Sequence, residues 1–153
     1  MTDAPSFRIW PPVALGVPLV TGFVLKGTIG DPFSLDRAWS LPAGSALCLA
    51  FALWNGWALR LMAVRKTALL PGGSSRVILA EGPFGISRNP LYVGLIALDA
   101  GIALLWPSAW ALILVPVGVV LLRWGAILPE ERYLTAKFGA EYTAYQQRVR
   151  RWF

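Results

Sequence analysis

The chain has 153 residues, 56% of them apolar and only 14% charged, with a net charge of +6. An ordinary soluble domain carries roughly 25% charged residues, so these proportions point away from a soluble globular enzyme and exclude intrinsic disorder. There is no histidine and a single cysteine, Cys48; histidine bases, Ser-His-Asp triads, histidine or Cys-rich metal centres and intrachain disulfides are therefore all excluded.

The first apolar run, residues 9–29, holds one charge, Lys26, close enough to its end to reach lipid headgroups. Pro11, Pro12 and Pro18 are tolerated in a membrane span. A cleaved signal peptide fits less well, because only Arg8 precedes the run and no small-residue cleavage site comes after it. The second run, residues 38–59, has 22 residues and no charge, matching the ~20 needed to cross a bilayer; Asn55 is its one strongly polar interruption. Cys48 lies in this run and reads as a buried, inert thiol.

The third apolar region, residues 91–124, is 34 residues long and broken at Trp106-Pro107-Ser108. Charge decides between one crossing and two. Residues 60–88 carry Arg60, Arg65, Lys66, Arg76 and Arg88 against Glu81, and residues 123–153 carry six basic residues against three glutamates. Both basic segments belong on the cytoplasmic side, which requires an even number of crossings between them. The basic excess also reads as a match to anionic lipid rather than to nucleic acid. The expected fold is an all-α integral membrane protein with four transmembrane helices. Both termini are cytoplasmic, and a C-terminal amphipathic helix lies at the interface. Residues 1–63 supply the first two spans. Residues 64–153 supply a cytoplasmic loop with a turn at residues 71–75, a helical hairpin over 91–124 and a C-terminal helix over 129–149.

Two cytoplasmic segments carry more chemistry than a connector needs. In residues 81–94, Asn89-Pro90 reads as an N-cap followed by proline at the first helical position. This leaves the positive end of a span, with Arg88 beside it, facing the cytoplasm. Such an end suits a carboxylate or phosphate; a capped helix with Arg88 on a lipid phosphate is the plainer reading, and both stay open. Residues 129–153 begin with Glu130 and Glu131, favoured in a first helical turn. Leu134, Phe138, Tyr142, Tyr145 and Val149 come next at spacings of 4, 4, 3 and 4, one face of a helix bent at Gly139. It lies on the bilayer or folds back on the spans, with Arg150, Arg151 and Trp152 at the interface.

The ordered set Gly82-Pro83-Phe84, Arg88-Asn89-Pro90-Leu91-Tyr92, Glu130-Glu131, then Phe138-Gly139 with Tyr142, Tyr145, Arg148, Val149, Arg151 and Trp152 resembles the signature of the isoprenylcysteine carboxyl methyltransferase and phospholipid methyltransferase superfamily. Thr67 and Pro71 match its lead-in. The resemblance covers about residues 64–153 and leaves the first two spans generic. It implies a methyltransferase core that binds S-adenosylmethionine and methylates a lipophilic acceptor, such as an isoprenylcysteine-like carboxylate, a phospholipid amine or a small thiol. Gly82, Pro83, Phe84, Arg88, Asn89, Pro90 and Tyr92 are implied as cofactor-binding residues. Glu130 and Glu131 are implied to contact the cofactor or orient the acceptor. The site would face the cytoplasm of a bacterial inner membrane.

Two departures bear on the acceptor. Asn89 stands where many members have histidine, and Leu128-Pro129 stands where many have arginine before the glutamates. Arg123 replaces that arginine only if the helix turns it inward. Asp99, seven residues after Tyr92, shares its helical face. A carboxylate within a span faces the interior or a cavity. It reads either as a wall of the acceptor cavity or as a hydrogen-bonded structural group meeting Asn55. A small four-span transporter using Asp99 is the rival reading from outside the class.

Overall fold

The computed structural model describes residues 6–66 and 77–153; the Thr67 and Pro71 lead-in and the turn at residues 71–75 lie outside the described residues. These residues form only helices. Helix α1 (Pro11–Ile29) starts on a proline pair and carries Lys26 in its last turn. Helix α2 (Arg37–Val64) is capped by Asp36, whose Oδ1 accepts from the Ala38 N–H at 2.8 Å. A single turn, α3 (Pro83–Ile86), leads into α4 (Pro90–Leu105). The Trp106-Pro107-Ser108 break is a tight connection. Ser108 Oγ accepts from the Ala111 N–H at 3.2 Å and caps α5 (Ala109–Leu122).

Beyond α5 the fold departs from expectation. The helix does not stop near residue 124. It passes through a π-turn (Arg123–Ile127) straight into α6 (Leu128–Phe138). Gly139, at φ +53°, ends it, and α7 (Ala140–Arg148) returns along the bundle. The C-terminal helix expected over 129–149 is thus two helices, the first a continuation of a span. Its apolar stripe does not rest on lipid. Tyr142, Tyr145 and Val149 are buried, with Ile78, Leu134 and Phe138 packed against them as a small core.

Three helical stretches are long and apolar enough to cross a membrane: Pro11–Ile29, Arg37–Val64 and Ala109–Phe138. The apolar α4 is shorter, at 16 residues, or about 24 Å of rise. It packs against α2 on one side and α5 on the other, while α1 packs along α5. Small residues let the helices approach, as in membrane bundles generally. A Cβ built on Gly22 of α1 would stand 2.3 Å from Ala111 Cα. Outward faces are apolar: Val13, Val17, Val20 and Val24 on α1, and Leu49, Leu53 and Trp57 on α2, are all exposed. A surface this apolar marks a membrane or protein interface, and on helices of spanning length it fits a hydrocarbon surround.

The bundle has two distinct ends. At one, Asp31 Oδ1 accepts from the Trp110 N–H (3.2 Å) and Ser108 Oγ (3.5 Å), and Trp110 Nε1 donates to the Gly30 carbonyl (2.8 Å). Lys26 reaches the Pro107 carbonyl there. At the other, the Arg8 N–H donates to the Gly125 carbonyl at 2.8 Å and the Arg8 guanidinium lies 4.9 Å from the centre of the Trp124 ring. The main core, built on Ala14, Leu15, Tyr92, Leu122, Ala126 and Ile127, sits just inside this second end, beneath a cluster of polar side chains.

Candidate active site at one end of the bundle

The segment before α4 is held from three directions. Gly82 takes φ +54°, turning the chain into α3, and Pro83 is buried behind it. Tyr145 Oη donates to the Phe84 carbonyl at 2.6 Å, tying α3 to α7. Residues 149–153 then cross in front as a strap. The Arg88 N–H donates to the Arg150 carbonyl (2.9 Å), while Ser87 Oγ and Asn89 Nδ2 both donate to the Arg151 carbonyl (3.1 Å each). Asn89 thus occupies the N-cap position without making a cap bond. The strap is a stronger claimant for its amide, since it would otherwise bury an unpaired carbonyl.

Side chains from these segments meet the acidic pair. Arg151 grips Glu131 with both arms, Nε to Oε1 at 2.9 Å and Nη2 to Oε2 at 2.8 Å. Arg88 Nη1 stands 3.2 Å from Glu131 Oε1, close enough for ionic attraction but not aligned for a hydrogen bond. Nη1 and Nε of Arg88 are accordingly buried without an acceptor among the described residues. Glu130 points elsewhere and accepts from Tyr92 Oη at 2.8 Å. The reason expected for the glutamates, a free helix N-terminus, does not apply: the π-turn runs unbroken into α6, so its first N–H groups are already engaged. Arginines and a tyrosine stabilise the acidic pair instead.

Electrostatics track burial. The Tyr142 hydroxyl is pushed up to about 12 by burial and then by the Glu131 charge, while the positive charge of the Arg88 guanidinium pulls the other way. Tyr145 is pushed up by burial. Arg151 is raised, chiefly by its hydrogen bonds to Glu131, which keeps it a cation.

The two segments singled out in the sequence therefore converge: Arg88, Asn89, Tyr92, Glu130 and Glu131 lie in one cluster, with Gly82, Pro83 and Phe84 shaping the turn behind them. Two other candidates stand apart. Asp99 is buried two turns further along α4, with no hydrogen bond or ion pair among the described residues. Asn55 does not meet it; it donates to the Leu91 carbonyl at 3.2 Å. Arg123, at the start of the π-turn, is exposed and not turned inward. Sequence reasoning missed the part played by Arg151 and Trp152, assigned to the interface as anchors. Arg151 is instead the principal partner of Glu131, and Trp152 packs on the main core. The Arg-Val-x-Arg-Trp ending was the available signal. Also unforeseen is an apolar groove of about 360 Å³ between α2 and α4, walled by Trp54, Trp57, Val93, Ala97 and, from the strap, Phe153. Among the described residues no three metal-ligating side chains converge.

The family profile described as Phospholipid methyltransferase matches residues 39–141. The chain belongs to the phospholipid methyltransferase family. The match confirms the resemblance read from the motifs and extends it back through α2, which the motifs alone had left generic. It takes in α4, α5 and the acidic pair and ends before the strap. Neither the curated proteins nor the solved structures yield a match. This phospholipid methyltransferase family member is thus a helical membrane protein whose family acts on lipid or membrane acceptors.

Proposed function

We propose that the protein transfers the methyl group of S-adenosylmethionine to a lipophilic acceptor at the cytoplasmic face of a bacterial inner membrane. In this reading the chain crosses four times, with α4 as the shortest span and the polar end of the bundle in the cytoplasm. The observation that carries it is the complementary pair of unmet demands in the cluster. Arg88 buries two N–H donors that lack an acceptor, each costing about 1–3 kcal/mol if nothing meets it. Glu130 has a neutral partner, Tyr92, and no cation among the described residues. A zwitterionic amino acid attached to a sulfonium answers both, with its carboxylate on Arg88 and its positive charge beside Glu130. The residues present therefore fit the cofactor.

The cofactor, when bound, supplies a methyl group on a leaving group that is already activated, so the protein's task is alignment, which is worth about 7–11 kcal/mol. Arg88 and the turn at Gly82-Pro83-Phe84 fix one end of the pocket. Tyr92 holds Glu130 in place by a donated hydrogen bond. An amine or thiol acceptor must lose a proton, and Glu130 is the base within reach; a carboxylate acceptor needs none. The family match favours a phospholipid amine over an isoprenylcysteine-like carboxylate or a small thiol. The groove between α2 and α4 offers the acceptor a lateral path, with Asp99 and Arg123 left as outlying candidates for acceptor contact.

Calorimetry with S-adenosylmethionine on detergent-purified protein tests this reading. The wild type binds. Arg88→Ala weakens binding at least tenfold, the loss expected for hydrogen bonds to a charged group. Asp99→Asn, which would abolish coupling in a transporter, leaves binding unchanged. Absence of heat from the wild type overturns the proposal.

A further inference from the structure

The two adjacent glutamates are in unlike circumstances, and the difference divides their labour. Glu131 is buried, and both of its oxygens are held by Arg151 while Arg88 adds a second positive charge on Oε1. An approaching cation would meet two guanidinium groups before it met this carboxylate, and like charges in a desolvated site repel strongly. Glu130, one residue earlier, bonds to Tyr92 alone among the described residues. One carboxylate is spent inside the protein and the other is available.

What Glu131 holds is the strap. Without Arg151, residues 149–153 keep the backbone bonds to Ser87, Arg88 and Asn89, the burial of Val149, the packing of Trp152 and the contact of Phe153 with Trp54 at 6.5 Å. The Arg151–Glu131 fork is the one link between the strap and α6 by paired charges among the described residues, and it is bidentate, the geometry in which arginine specifies position as well as charge. The same strap fixes the backbone of Arg88 and walls the apolar groove with Phe153.

We propose that Glu131 is a positioning residue that latches residues 149–153 across the site through Arg151, and that Glu130 is the carboxylate offered to the ligand. The second half rests on the function proposed above; the first does not. Limited trypsin digestion of the full chain in detergent, with mass spectrometry to detect cleavage after Arg148, reads the latch without any ligand. Calorimetry with S-adenosylmethionine reads the offered carboxylate.

Glu131→Gln and Arg151→Met are expected to speed that cleavage at least tenfold, Arg151→Lys to restore most of the protection, and Glu130→Gln to leave it within twofold of wild type. Glu130→Gln weakens S-adenosylmethionine binding at least tenfold while the strap stays protected, a combination that a merely structural role would not produce. The latch is overturned if Glu131→Gln is cleaved at the wild-type rate, or if Glu130→Gln opens the strap as much as Glu131→Gln does. The assignment of Glu130 is overturned if Glu130→Gln binds like wild type. Should the wild type itself bind no S-adenosylmethionine, the proposed function and the Glu130 assignment fall together, and the digestion still decides the latch.

Discussion

Tyr142 shows how a single side chain reports on the whole cluster. It is 2% exposed, and its hydroxyl is raised from 10.0 to about 12, with burial the leading cause. The native state therefore keeps a proton that the unfolded chain releases. The stabilisation is complete below pH 10 and lost as pH rises from about 10 to about 12, because over that window the native state binds more protons. Melting curves in detergent should show stability falling across this interval, and Tyr142→Phe should remove up to roughly 2 kcal/mol of that fall. At this scale the sequence was most informative about residues whose chemistry is unusual for their setting. Arg88 and the two glutamates stood out because charge beside apolar spans needs a reason, and Tyr92 entered through the motif resemblance. Arg151 did not stand out, because a basic residue near a membrane edge already has one: lipid phosphate. Nothing local distinguishes an arginine facing headgroups from one facing a buried carboxylate.

Helices were legible where their punctuation was local. Asn89-Pro90 and Trp106-Pro107-Ser108 each mark a boundary found in the fold, and the apolar stripe from Leu134 to Val149 reappears as buried surface. The stripe's partner was not legible, since a lipid surface and the segment at Ile78 present the same apolar face. The π-turn was not read from the sequence, although Pro129 carries a signal for it: proline has no N–H to close a regular turn onto the Gly125 carbonyl, which accepts from the Arg8 and Ile9 N–H groups instead. Helix contact itself can be tested. Gly22→Ala sets a methyl group 2.3 Å from the Ala111 backbone, which cannot rotate aside. It should destabilise the protein by about 1–3 kcal/mol, read as a melting temperature lower by several degrees. Gly16→Ala on the same helix meets nothing within 4 Å and should be neutral or slightly stabilising, since alanine favours helix over glycine by roughly 1 kcal/mol.

For the molecule as a whole, the proposed arrangement of four crossings with the polar cluster in the cytoplasm is open to a direct test. The contacts of Asp31 with Ser108 and Trp110 gather one pair of connections at one end; those of Arg8 with Gly125 gather the opposite ends, together with Arg65, Glu81 and the polar cluster. With Cys48→Ser as background, cysteines at the exposed positions Ser34 and Thr143 should respond oppositely to a membrane-impermeant maleimide added to intact cells. Ser34→Cys should label from outside and Thr143→Cys only after the membrane is opened. Labelling of both from the same side would mean an even number of crossings between them and would remove α4 as a span.

The π-turn has a bearing on how this architecture tolerates change. Each residue of a regular helix advances about 100° around its axis, and a wide turn takes up about one residue more than a regular one. Exchanging a side chain within residues 123–127 leaves that phase intact. Winding the same residues as an ordinary helix would rotate everything beyond by about a quarter of a circle, aiming Glu130 and Glu131 away from Tyr92 and Arg151 with every amino acid of the pocket still present; losing one residue as the turn tightens would keep them aimed. In this stretch the width of the turn, rather than the identity of its side chains, aims the acidic pair, and a one-residue deletion is the change that a return to ordinary winding absorbs.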